Sequence, residues 1–132
     1  VIELKAHDVV DKSFRMLQLA ADSDPDSVIV WVDPESGNRF KAWDLTGCTV
    51  VAILRRNGDT GPIIPPCNVT DIVGGLVRVR FDTMFTGVGF EDGEQHRDAS
   101  LEIEVARSDG TSETVPPGGY IPIRINRDLD GQ

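Results

Sequence analysis

Apolar and polar residues alternate along much of this chain with the period of two that belongs to a β-strand, whose successive side chains point to opposite faces. Leu101-Glu102-Ile103-Glu104-Val105 alternates cleanly, Ser108-Asp109-Gly110 supplies a hairpin turn, and Thr111 to Val115 returns. Leu76-Val77-Arg78-Val79-Arg80-Phe81 puts Val77, Val79 and Phe81 on one face and both arginines on the other, which predicts a half-buried antiparallel strand. Ile121, Ile123 and Ile125 mark a closing strand. The run Cys48-Thr49-Val50-Val51-Ala52-Ile53-Leu54-Arg55 differs, being rich in β-branched residues and uncharged until its end. It predicts a central strand covered on both faces or nearly so.

Turn formers divide these runs. Asp22-Ser23-Asp24-Pro25-Asp26-Ser27 predicts a surface loop, and Asp33-Pro34-Glu35-Ser36-Gly37-Asn38 separates a short strand at Val28 to Val32 from another through Phe40 and Trp43. The prolines of Gly61-Pro62-Ile63-Ile64-Pro65-Pro66 cannot donate ladder hydrogen bonds, so this stretch is an edge or a loop. Asn68 to Val73 predicts a short strand ending at the Gly74-Gly75 turn. Residues 82 to 98 predict a long loop with room for one helical turn. Pro116-Pro117-Gly118-Gly119 breaks the returning strand, and Asn126 to Gln132 predict a frayed polar tail.

One segment stays open on pattern alone. As a strand, Phe14-Arg15-Met16-Leu17-Gln18-Leu19 has Phe14 and Met16 on one face and Leu17 and Leu19 on the other. As a helix, Val10, Phe14, Leu17 and Ala21 form a single apolar stripe. The remainder, about seven to nine short strands with frequent turns, predicts an antiparallel β-sandwich. At 132 residues the chain is one ordinary domain, residues 1–132.

Composition narrows the functions. A formal net charge of −9 argues against a nucleic-acid or anionic-membrane partner, because both usually need a basic face. No stretch approaches the roughly 18 apolar residues of a membrane span. The N-terminal Val1-Ile2-Glu3-Leu4-Lys5 has no secretory pattern. Cys48 and Cys67 lack metal-site spacing and are expected to be buried free thiols in a protein made in a reducing cytoplasm.

Candidate chemistry is sparse. Glu91, Asp92, Glu94 and His96 could place carboxylates beside an imidazole for acid–base work, but no nucleophile or oxyanion hole accompanies them and His7 lies in another segment. An acidic loop is the simpler account, and no catalytic residue or cofactor is expected. Asp22, Asp24 and Asp26 alternate as calcium ligands do, yet Ser27 stands where an EF-hand loop needs glycine and Asp33 where it uses glutamate. Asn68-Val69-Thr70 matches a glycosylation pattern and is more simply part of a strand. Trp31 and Trp43 would make a sugar-stacking platform if exposed; as two of few aromatics they are expected to anchor the core.

Several short motifs occur in a particular order: Asp44-Leu45-Thr46-Gly47-Cys48-Thr49-Val50; Val69-Thr70-Asp71 with Gly74-Gly75-Leu76-Val77-Arg78-Val79; Leu101 to Val105; Ser108-Asp109-Gly110-Thr111; and Tyr120-Ile121-Pro122-Ile123. Over residues 44 to 125 this succession resembles the N-terminal domain of phage upper-baseplate proteins. The resemblance implies an all-β, immunoglobulin-like β-sandwich with long loops, preceded by a strand that Phe14 to Leu19 would supply. It implies a virion structural protein, made in the host cytoplasm, that attaches tail or baseplate components by protein–protein binding and is repeated in copies around the particle. The enlarged segments at residues 22 to 43 and 82 to 98 depart from that pattern and leave a head, neck or tail-tube position open. A carbohydrate-binding adhesin module is the rival expectation.

Overall fold

The computed structural model describes residues 2–58, 61–82, 90–115 and 120–127. Among these the chain is all-β, with eleven strands and one turn of 3-10 helix at Asp26–Val28. The strands are β1 (Ile2–Lys5), β2 (Val10–Arg15), β3 (Leu17–Leu19), β4 (Ile29–Val32), β5 (Arg39–Ala42), β6 (Thr49–Arg56), β7 (Cys67–Asp71), β8 (Leu76–Phe81), β9 (His96–Ala106), β10 (Ser112–Val115) and β11 (Ile121–Asn126).

The longest strand, β9, is the spine of a five-stranded sheet. Along one edge its residues 99–106 pair with β6. Along the other, residues 96–101 take β11 and residues 103–106 take β10. Because both share the edge opposite β6, β10 and β11 run in line. Pro116 to Gly119, where the sequence predicts a break between them, lie outside the described residues. β1 closes the far edge of β11 in parallel register, Ile2 beside Ile123 and Lys5 beside Asn126. A wholly antiparallel sandwich is therefore not what forms, since side-chain alternation is the same for either pairing direction and does not encode it.

A second sheet, β2-β8-β7, faces the first across one core. The alternation of β8 and β9 works as expected: Val77, Val79 and Phe81 meet Leu101, Ile103 and Val105, with Ala52, Leu54, Ile123 and Ile125 around them. All are buried, and large apolar side chains removed from water contribute about 1.5–3 kcal/mol each.

The contested segment is extended: β2 pairs with β8 and β3 with β5. Met16 joins the two. Its N–H donates to the Gly75 carbonyl (2.7 Å) and its carbonyl accepts from the Trp43 N–H (2.9 Å), passing the strand from one partner to the next. A helix over Val10 to Ala21 would have left the edge of β8 unpaired. The third sheet, β3-β5-β4, thus projects as a wing from the second.

Other expectations change in detail. β6 is not covered on both faces: Ala52 and Leu54 are buried, Val51 is exposed, and the outer edge meets Ile63 in a two-bond bridge with Leu54. The Pro-rich stretch is indeed an edge. β9 begins at His96, five residues before its regular alternation, because its first part is held by β11. Of the expected loop, residues 83–89 lie outside the described residues. Asn126 ends β11 rather than starting a frayed tail, and the Arg127 N–H donates to the Gln95 carbonyl (2.9 Å). Residues 128–132 lie outside the described residues.

Candidate functional site

The wing carries the most distinctive surface. Its register places Leu17 and Ala42, Leu19 and Phe40, and Phe40 and Trp31 side by side, so Leu17, Leu19, Phe40 and Trp31 share one face. Trp31 and Phe40 rings lie 5.3 Å apart, tilted by 35°. Trp31 remains 48% accessible and Leu19 is also exposed. Val32, paired with Arg39, belongs to the opposite face and is exposed too.

Opposite Trp31 and Phe40 stand Glu113, Thr114 and Val115 of β10, and together they bound a groove of roughly 710 Å³. Trp43, only 3% accessible, forms part of its lining beneath the Arg107 guanidinium, which sits 4.8 Å from the ring centroid. Arg107 Nη2 lies 2.7 Å from Glu113 Oε2. Arg15 and Gln18 complete the polar part of the wall, with Arg15 Nη1 donating to the Gly74 carbonyl (2.8 Å). The two tryptophans thus divide: Trp43 anchors the core as expected, and Trp31 does not. A run of Ile29-Val30-Trp31-Val32 suggests burial, but among the described residues no sheet packs over the wing to provide that.

Two of the three alternating aspartates tie their loop to the wing, and the third, Asp22, is exposed. Asp24 accepts from the Ala21 N–H and pairs with Lys41 (3.2 Å), and Asp26 pairs with Arg39 (2.7 Å). The Ala21 N–H, then Lys41, keep the Asp24 carboxyl below its ordinary range. These contacts give both carboxylates a role in tying the loop to β5. Among the described residues no three metal-ligating side chains converge.

Glu91, Glu94 and His96 do lie in one shallow depression, with Asn57, Arg97 and Asp98. Their contacts are architectural. Glu94 accepts from Arg97 Nη2 (2.8 Å) and from the Glu91 N–H (2.9 Å), in that order the causes of its lowered pKa. His96 Nε2 is 3.8 Å from Asp98. Arg127 Nη1 donates to the Glu91 and Glu94 carbonyls, with its guanidinium 5.8 Å from the Phe90 ring. His7 occupies the β1–β2 turn with φ of 71°.

Cys48 and Cys67 carry free thiols, both half-buried rather than fully buried, and burial raises the Cys67 pKa. Asn68 and Thr70 are on β7. Sequence patterns marked Leu19 and Phe40 only as strand residues and Arg107 and Glu113 not at all, because the meeting of the four depends on how the wing and the β9–β10 hairpin are placed. The one local signal was an apolar Val-Trp-Val strand beside a loop dense in aspartate. No protein-family model matches the chain, and no curated protein matches it.

Proposed function

We propose that this chain is a structural module of a bacteriophage particle, an immunoglobulin-like β-sandwich that attaches one virion component to another and performs no chemistry of its own. The observation that carries the binding role is the apolar wing edge: Val30 and Val32 are exposed along β4, Val28 is exposed in the turn just before it, and among the described residues no strand covers the outer edge of β4. Soluble proteins normally protect such edges, and an unprotected one is a ready surface for a partner.

The immunoglobulin-like topology is supported by strand order. Setting the wing aside and counting β10 and β11, which share one edge of β9, as two pieces of one position, β6-β9-β11-β1 faces β2-β8-β7, with the first strand parallel to the last. The wing is then an insertion between β2 and β6, matching the enlarged segment at residues 22 to 43. The phage assignment rests on the resemblance over residues 44 to 125, and the partners are other virion proteins repeated around a symmetry axis.

Mass spectrometry of purified particles tests the location: the chain is expected in stoichiometric amounts, and its consistent absence overturns the assignment. The double variant V30K/V32K tests the surface. It is expected to fold normally and to be lost from particles; undiminished incorporation would rule out the wing edge as the attachment surface.

A further inference from the structure

We propose that the groove between the wing and the β9–β10 hairpin is a binding site for a neutral saccharide. This site uses the groove face of the wing, whereas the attachment surface uses its outer edge, so the two stand or fall separately.

Three features of the groove point to this ligand class. The first is the platform. Trp31 is half in solvent while Phe40 lies against it at a 35° tilt, a contact that supports the indole without covering it. Such a ring offers a flat apolar surface whose negative face attracts the slightly positive C–H face of a pyranose. The second is a paired donor and acceptor on the facing wall. Arg107 Nη2 and Glu113 Oε2, 2.7 Å apart, present N–H and carboxylate groups to neighbouring hydroxyls. The third is size: roughly 710 Å³ lies within the range of small-ligand pockets.

The wall facing Trp31 argues for a neutral ligand, because Arg107 there is compensated by Glu113; Arg15, at the other side of the lining, donates one N–H to the Gly74 carbonyl and keeps its positive charge. A purely apolar peptide segment is a poorer occupant. Filling the groove with it would strip water from the Arg107–Glu113 pair without replacing those hydrogen bonds, a cost that hydroxyls avoid.

The test is titration of the full chain with a panel of free neutral disaccharides (chitobiose, cellobiose, maltose and lactose), read by tryptophan fluorescence and by saturation transfer to sugar protons. At least one is expected to bind, with transfer strongest on one ring face. Trp31→Ala is expected to weaken binding by about 30-fold, as for a central aromatic anchor, and Trp31→Phe to restore part of it. Glu113→Gln is expected to weaken it less. Circular dichroism and melting of each variant show that the fold is kept, as the exposure of Trp31 and Glu113 leads one to expect. Absence of binding to every disaccharide overturns the proposal. So does sugar binding that Trp31→Ala leaves unchanged, or Trp31-dependent capture of apolar peptides in the absence of any sugar binding.

Discussion

Asp44 and Asp109 show how much local structure one side chain can specify. Each places Oδ1 where it accepts both the N–H and the hydroxyl of the threonine two residues on, Thr46 at 3.0 and 2.6 Å and Thr111 at 2.9 and 2.6 Å. The threonine hydroxyl first, then the N–H, hold both carboxyls below their ordinary value of 3.8. A depressed folded-state pKa contributes stability that is present above the unfolded value and lost as pH falls through the folded one. Urea midpoints are therefore expected to hold steady down to about pH 4 and fall below it, and D44A/D109A to flatten that fall.

Gly75 is a second decisive residue. At φ of 71° an added Cβ would lie 2.8 Å from both the Met16 and Trp43 carbonyl oxygens, so Gly75→Ala strains the backbone and pushes the second sheet from the wing. A loss of about 2–3 kcal/mol is expected in denaturant unfolding. His7, with similar φ in an exposed turn, is the converse: His7→Gly is expected to stabilise by up to about 1 kcal/mol. The tryptophans give an optical check. Acrylamide is expected to quench Trp31 and leave Trp43 largely untouched, and equal quenching of both would contradict their placement.

Among elements, those with one wet and one dry face were the legible ones. β8 and the middle of β9 carry charges outside and branched apolar residues inside, so period two identified their buried faces directly. β6 misled because Val51 and Ile53 are apolar on a face that no sheet covers among the described residues, and nothing in composition marks that side as the outer one. The 10–19 segment fitted two periods because Val10, Phe14 and Leu17 suit either, and pairing with β8 and β5 decided it. The groove was the least legible feature, since Trp31 and Glu113 are distant in sequence and meet only through the placement of two hairpins. Core energetics follow the legible part: Leu101→Ala, at the centre of β9 and fully buried, is expected to cost about 2–5 kcal/mol, measured by the shift in urea midpoint at constant slope.

At the scale of the whole molecule, the two facing sheets share one core and the wing continues from it through the β2–β3 strand. Such an arrangement separates what must be stable from what is free to bind, since the wing's outward side chains add little to the common core. Replacing Leu4, which buries the first strand against that core, is expected to loosen both ends together. The parallel pairing of β1 with β11 has a mechanical consequence. With Ile2 at one end of the pair and Asn126 at the other, tension applied through those residues slides the strands past each other and loads their hydrogen bonds simultaneously. Antiparallel strands pulled from a shared end would instead unzip one bond at a time. Pulled from those two ends, the β1–β11 pair therefore resists in shear.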